Sequence, residues 1–217
     1  RVGELSPNLV GKALGMEVKE GMPIPSLVAP RPPKLCDGCP HIDSYTALNE
    51  AMKSFPGGRV FSDIGCYTLG ALPPFQAIYS TVDMGASITM AKGASEADLL
   101  PSVAVIGDST FTHSGMTGLL DCCVDNANVT VIILDNGITG MTGSQKSSAT
   151  GRIESICTGL GVDPAHIRVI NPLKKYFEEN VAIMKEEIAY KGVSVIIPRR
   201  ECIVALNKRL KAAKKAQ

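Results

Sequence analysis

Two polar residues that could hold a metal ion follow neighbouring apolar segments of the chain. Asp108 comes after segment 102–106 and Gly107, and Asn136 comes after segment 129–134. Their separation of about 28 positions is typical of one strand–helix–strand crossover, which sets the carboxyl ends of two parallel strands side by side. Carboxylate and amide oxygens suit Mg²⁺, which usually shares its coordination shell with substrate phosphates. The pair therefore predicts a metal-bridged diphosphate site.

Small and hydroxyl-bearing residues surround this pair. Gly107 lacks a Cβ, so we expect a diphosphate to approach its backbone, near the N–H groups that open the next helix. Four residues of the two flanking loops are candidates for binding phosphate oxygens: Ser109, Thr110, Thr142 and Gln145. Ser and Thr at such positions could equally be helix caps or turn formers, and a Gly-Asp or Asn-Gly after a strand is also ordinary turn chemistry. A site without any ligand therefore remains an alternative.

Seven cysteines form two groups. Three fall in predicted helices, where a buried thiol behaves as a small apolar group: Cys122, Cys123 and Cys157. Four fall in predicted loops and are candidate metal ligands: Cys36, Cys39, Cys66 and Cys202. Four thiolates could hold a [4Fe-4S] cluster or a structural zinc ion, or these loops could fail to meet. The odd total argues against a disulfide framework.

The histidines are candidates for proton transfer, since imidazole exchanges protons near neutral pH. We favour His41, which follows the Cys36-x-x-Cys39 segment, over His113. His166, at the start of a predicted strand, is the weakest candidate.

The predicted elements alternate along the chain. Hydrophobic periodicity and Gly or Pro breaks predict helices over 41–55, 84–99, 114–126, 151–160 and 173–190, and strands over 59–62, 102–106, 129–134, 167–170 and 193–198. This alternation predicts an α/β fold, a mainly parallel sheet with helices on both faces. The Gly- and Pro-punctuated residues 1–34 predict an extended connector, 35–203 the cofactor domain, and 204–217 a basic helix or tail.

Composition narrows the classes of partner. The 217 residues include 22 basic and 21 acidic side chains, a net charge of +1, so no overall field attracts nucleic acid or a membrane. No apolar segment approaches the ~18 residues of a membrane helix. We expect a cytoplasmic protein. The chain begins with Arg1, and we expect it to be a fragment.

Six segments together resemble one family: LCDGCPH at 35–41, SDIGCYTLG at 62–70, MGASI at 84–88, IGDSTFTHSG at 106–115, LDN at 134–136 and MTGSQ at 141–145. They resemble the thiamine-diphosphate domain of the large (alpha) subunit of indolepyruvate ferredoxin oxidoreductases, over roughly residues 31 to 202. The resemblance implies a thiamine-diphosphate-binding fold with thiamine diphosphate and Mg²⁺ as cofactors. It adds the carbonyl of Ile138 as a third metal ligand and places the Cys36-x-x-Cys39 segment, which His41 follows, over the cofactor. Further cofactor-binding residues that it implies are Asp63, Gly65, Cys66, Met84 and Gly85.

The resemblance also implies a reaction. This is oxidative decarboxylation of an aryl 2-oxoacid such as indolepyruvate to an acyl-CoA, with electrons passed to ferredoxin. Coenzyme A, other domains and a smaller subunit of the enzyme are the implied partners. In that family the activating Glu comes from another domain, so this chain alone is expected to bind without turning over. The alternatives are a non-oxidative thiamine-dependent decarboxylase or synthase, which has no use for four loop cysteines, and a cofactor-binding fragment that is inactive by itself.

Overall fold

The computed structural model of the chain describes residues 6–19, 21–29 and 32–215, and it divides into two units, 1–33 and 34–217. The first unit contains one helix, α1 (Pro7–Ala13). Ser6 caps this helix by accepting a hydrogen bond from the N–H of Leu9 at 3.2 Å, and Pro7 occupies its first turn. The prediction of an extended connector over 1–34 is therefore wrong for this stretch, where a Ser-Pro start signal outweighs the nearby glycines.

The second unit is built on a six-stranded sheet whose paired strands all run parallel. Its strands are β1 (Arg59–Ser62), β2 (Ser80–Thr81), β3 (Ser102–Gly107), β4 (Val129–Leu134), β7 (Ile167–Ile170) and β8 (Val193–Pro198). They lie in the order β2-β1-β3-β4-β8-β7. A separate antiparallel hairpin joins β5 (Ile138–Thr139) to β6 (Gln145–Lys146). The three central strands β3, β4 and β8 are buried along their whole length, as parallel strands covered on both faces must be.

Helices cover both faces of the sheet. They are α2 (Pro40–Met52), α3 (Ala86–Glu96), α4 (Asp108–Thr110), α5 (Met116–Val124), α6 (Ile153–Gly159), α7 (Phe177–Ala189) and α8 (Ile203–Lys215), with a π-helical turn at Phe111–Gly115 and 3₁₀ turns at Cys66–Ala71, Gly140–Thr142, Pro164–His166 and Lys174–Tyr176. One core cluster packs α2 and α7 against the sheet through Tyr45, Leu48 and Met184. The other packs α3, α5 and α6 through Ile88 and Leu119, among others. The predicted α/β fold with helices on both faces is confirmed.

The helix after β3 begins earlier than predicted. The sequence predicts it over 114–126, because Ser109, Thr110 and Thr112 are weak helix formers. In the structure the backbone turns helical at Asp108 and continues through the π-helical turn into α5. The Asp108 carboxylate accepts the first free N–H, from Ser109, which compensates for the poor helix formers. Asp108 thus lies at both a strand end and a helix start.

Among the residues described, no helix combines the length and apolar character needed to cross a bilayer.

Candidate cofactor site

Asp108 is buried at the carboxyl end of β3 with only 3% of its surface exposed. One carboxylate oxygen accepts the N–H of Ser109 at 2.8 Å and the other accepts the N–H of Gly137 at 3.0 Å. Burial raises the pKa of Asp108 to about 6, while these N–H groups and the Ser147 hydroxyl oppose the rise. Within the described parts of the chain no ion pair includes Asp108. A buried carboxylate without a basic partner is suited to a bound cation.

Asn136 lies beside Asp108 because β3 and β4 are paired in parallel, with Gly107 opposite Leu134. Its Oδ1 accepts the N–H of Ile138 at 3.0 Å. Its backbone carbonyl accepts the N–H of Cys202 at 3.1 Å, so the residue is held from both sides. The carboxamide oxygen therefore has a fixed position next to the Asp108 loop.

The carbonyl of Ile138 faces the same side as this carboxamide. The neighbouring carbonyls of Gly137 and Thr139 accept N–H groups from Ser147 and Ser144, on the second arm of the hairpin. In a strand, the N–H and the C=O of one residue point to the same side, and those of the next residue point to the other side. Because the N–H of Ile138 points to Asn136, its carbonyl also turns toward that side and away from β6. A carboxylate, a carboxamide and a carbonyl thus supply the oxygen donors that Mg²⁺ prefers, and these residues fit the ion.

A cavity of about 520 Å³ opens at these strand ends. Eleven of the predicted site residues line it: His41, Gly65, Cys66, Met84, Gly107, Asp108, Ser109, Thr110, Asn136, Ile138 and Thr142. The hydroxyls of Ser109 and Thr139 lie 2.9 Å apart and join the Asp108 loop to the hairpin. The cavity volume lies in the range of cofactor sites.

Three of the residues predicted to bind the cofactor do not line the cavity. Asp63 is fully buried beneath it and accepts hydrogen bonds from Ser87 Oγ at 2.7 Å and from the N–H of Gly85 at 3.2 Å. Gly85 has φ +93°, and a Cβ there would lie 2.2 Å from Ser114 Oγ. Gln145 is exposed and exchanges hydrogen bonds with Thr142 at 2.6 and 2.7 Å. Asp63 and Gly85 therefore shape the site from behind, and Gln145 braces the hairpin.

The space over Gly107 is taken by a side chain. A Cβ at Gly107 would lie 2.4 Å from the ring of Tyr67, and one at Gly65 would lie 2.3 Å from it. The Tyr67 hydroxyl hydrogen-bonds to Asp63. The missing Cβ of Gly107 accommodates Tyr67, whose ring becomes part of the cavity wall, and the approach of a diphosphate to the Gly107 backbone stays a prediction.

His41 is buried at the start of α2, and its Nε2 lies 3.3 Å from the Asn136 amide nitrogen. Burial lowers the pKa of His41 to about 4, so the ring is neutral at physiological pH. An amide nitrogen can only donate, so Nε2 accepts and Nδ1 carries the proton. In this state His41 positions Asn136 and has no proton to release from Nε2. His113 also lines the cavity, with its Nδ1 3.0 Å from Ser114 Oγ.

The four loop cysteines approach one another. Cys39 precedes α2, Cys66 opens a 3₁₀ turn, and Cys202 precedes α8. Burial, together with smaller contributions from the nearby thiols of Cys36, Cys202 and Cys66, raises the pKa of Cys39 to about 11. Yet across residues 6–19, 21–29 and 32–215 no three His, Cys, Asp or Glu side chains are arranged to hold a metal ion. The thiols are neighbours without forming a finished metal site. Cys122 and Cys157, in contrast, are buried in helices as predicted.

Four polar residues that line the cavity have no role in the sequence-based prediction: Tyr67, Thr139, Lys146 and Ser148. Tyr67 lies within the segment 62–70, and only its contact with two glycines reveals its place. The other three belong to the β5–β6 hairpin and the residues after it. Strands of two residues are too short to leave an alternating pattern in the sequence.

The fold and the oxygen-donor site together define a parallel α/β protein of the thiamine-dependent class. Residues 63–197 match the family model described as the thiamine pyrophosphate enzyme, C-terminal TPP binding domain, and the chain belongs to this family. The fold is similar to that of 2-oxoglutarate:ferredoxin oxidoreductase from Magnetococcus marinus (TM-score 0.66, 17% identity, 80% of this chain and 66% of that chain). It is also similar to benzoylformate decarboxylase from Polynucleobacter necessarius (TM-score 0.53, 14% identity, 72% and 33% of the two chains).

Closer in sequence are proteins named indolepyruvate oxidoreductase subunit IorA. The one from Archaeoglobus fulgidus is 35% identical over 214 residues, which cover 90% of this chain and 34% of that protein. The one from Pyrococcus abyssi is 36% identical over 204 residues, which cover 82% of this chain and 30% of that protein. The chain thus spans about a third of the length of these relatives.

Proposed function

We propose that this chain is the thiamine diphosphate- and Mg²⁺-binding domain of a 2-oxoacid ferredoxin oxidoreductase of the indolepyruvate type. One observation carries the proposal: the Asp108 carboxylate, the Asn136 carboxamide and the Ile138 carbonyl come together at the wall of a cavity of about 520 Å³. The names of the relatives support the substrate class. The chain spans about a third of the length of those relatives. We therefore propose, for the complete enzyme, the oxidative decarboxylation of the 2-oxoacid.

Each group of lining residues has a distinct task in this proposal. Asp108, Asn136 and the Ile138 carbonyl would hold Mg²⁺, and the hydroxyls of Ser109 and Thr110 would bind phosphate oxygens. When bound, thiamine diphosphate would supply the carbon nucleophile for decarboxylation of the 2-oxoacid. Neutral His41 keeps the Asn136 amide in place, since its Nε2 accepts from that group. The chain mainly binds and orients.

We also propose that the complete enzyme transfers the acyl group to coenzyme A and electrons to ferredoxin, and that it includes a smaller subunit. A cytoplasmic location agrees with seven free cysteines, since reducing compartments keep thiols unpaired.

For the cysteines we propose a [4Fe-4S] cluster held by Cys36, Cys39, Cys66 and Cys202. The mutual effect of these thiols on the pKa of Cys39 supports it, because three separate loops bring them into range. Cys66 also lines the cofactor cavity. A non-oxidative thiamine enzyme has no use for such a group, so iron content separates the two functions.

Cofactor binding is tested by thermal unfolding with Mg²⁺ and thiamine diphosphate. We expect a ligand at 100 times its dissociation constant to add about 2.7 kcal/mol to the free energy of unfolding. Asp108→Asn should remove this gain, because it deletes the charge that attracts the metal. Asp98→Asn is the matched control, since Asp98 is exposed and precedes the opposite end of β3. A wild-type protein that gains no stability, or an Asp108→Asn variant that gains as much as wild type, would refute the proposal.

A further inference from the structure

The cofactor cavity contains one primary amine. Among its lining residues Asp108 is the carboxylate and Lys146 the amine. None of the ion pairs formed within the described parts of the chain involves Lys146. By contrast, Lys92 is buried and forms ion pairs with Asp121 and Asp125. The Lys146 ammonium is therefore available to a ligand in the cavity.

Lys146 is placed by the hairpin at the metal end of the cavity. In the β5–β6 pairing it lies opposite Ile138, whose carbonyl is one of the three oxygen donors. The next residue, Ser147, donates its N–H to the carbonyl of Gly137 at 3.0 Å, and its hydroxyl opposes the rise in the pKa of Asp108. Ser148 then meets Thr112 at 3.0 Å, one helical turn beyond Asp108. The run 146–148 thus follows the Asp108 side of the cavity, and the backbone of Lys146, an exposed residue, is held there by its place in β6.

At the metal end of the cavity, a divalent cation beside Asp108 offers too little positive charge to balance a diphosphate. A diphosphate monoester carries about three negative charges near neutral pH. A divalent cation beside the single carboxylate of Asp108 offsets about one of them. An ammonium ion on a flexible stem is a common phosphate ligand and can follow the terminal phosphate. Lys146 supplies one of the two positive charges still missing where the three oxygen donors would hold the metal.

We propose that Lys146 binds the terminal phosphate of the diphosphate held at Asp108 and Asn136, and that it lets the site discriminate thiamine diphosphate from thiamine monophosphate. This inference rests on the proposed function. It assigns Lys146 to the cofactor rather than to the carboxylate of a 2-oxoacid.

Titration calorimetry in the presence of Mg²⁺ tests the assignment with both thiamine diphosphate and thiamine monophosphate. We expect Lys146→Met to weaken the diphosphate by about tenfold or more and the monophosphate by less than about twofold, because only the diphosphate reaches the amine. Lys146→Arg should retain diphosphate affinity within about threefold, since it keeps the charge. Lys211→Met, on exposed α8, is the matched control and should bind both ligands as wild type does.

Two results would overturn the inference while leaving the proposed function intact. In the first, Lys146→Met binds the diphosphate as tightly as wild type, the outcome expected if the amine serves a substrate carboxylate. In the second, both thiamine phosphates weaken by the same factor, which indicates a general field or a disturbed hairpin. A wild-type protein that binds neither ligand rejects the proposed function itself, and the inference with it.

Discussion

Two buried ionisable groups at the site have pKa values displaced in opposite ways. Burial lowers the pKa of His41 from 6.5 to about 4 and raises that of Asp108 from 3.8 to about 6. Between pH 4 and 6.5 the unfolded chain binds more protons at His41, so this group makes the fold more stable as pH rises. Between pH 3.8 and 6 the folded chain binds more protons at Asp108, so this group makes the fold less stable as pH rises. Each effect amounts to about 3 kcal/mol, and the two largely cancel.

Single substitutions should therefore reveal opposite pH dependences of the metal-free protein. Relative to wild type, we expect His41→Gln to lose stability as pH rises from 4.5 to 6, because only the Asp108 contribution is left. Asp108→Asn should gain stability over the same range, because only the His41 contribution is left. Urea unfolding in a chelating buffer measures both. For Asp98→Asn, the free energy of unfolding should change with pH as it does for wild type. If the two site variants also followed the wild-type pH dependence, the burial of both groups would be contradicted.

The central elements of the fold could be predicted from the sequence, and the small ones could not. Strands β3, β4 and β8 are continuous apolar segments with sharp breaks, and the structure places them within a residue of prediction. Helix α1 and the β5–β6 hairpin were missed, since seven- and two-residue elements carry little periodicity. Asp108 and Asn136 could be singled out as site candidates because each lies within two residues of the end of a long strand.

Other parts of the site depend on contacts between distant segments. Tyr67 fills the space beside Gly65, in the loop after β1, and Gly107, at the end of β3, so no local pattern could assign it. Lys146 lines the cavity only because the hairpin folds back opposite Ile138. Tertiary packing, rather than spacing along the chain, decides such positions.

At the scale of elements, the loops that carry the four cysteines are predicted to bind an iron–sulfur cluster. We expect anaerobically purified protein to contain iron and sulfide at about four of each per chain, since a cluster would draw the three loops together. Cys66→Ser and Cys202→Ser should each lose most of this iron. Cys123→Ser is the matched control, because Cys123 lies within α5, and it should retain the iron. Zinc in place of iron, or no metal, contradicts the cluster and leaves the non-oxidative thiamine enzyme as the better hypothesis.

At the scale of the whole molecule, apolar side chains are exposed in the segments before and after β2. They are Ile64, Leu72, Tyr79, Val82 and Met84, with Tyr79 and Val82 about two-thirds exposed. The family resemblance implies contact with other domains of the enzyme, and we expect it at this surface, where Leu72 has 39% of its area exposed. Met84 also lines the cofactor cavity, so this surface reaches the site. This contact with other domains stays a prediction. Because we expect this chain alone to bind the cofactor without turnover, experiments on it should measure cofactor binding.

The most direct test of the account is a crystal structure of this chain with thiamine diphosphate and Mn²⁺ in place of Mg²⁺, with the metal located by anomalous scattering. The account predicts one peak about 2.2 Å from oxygens of Asp108, Asn136 and the Ile138 carbonyl, bridging to the diphosphate. A metal bound elsewhere, or a diphosphate seated away from the ends of β3 and β4, would contradict it.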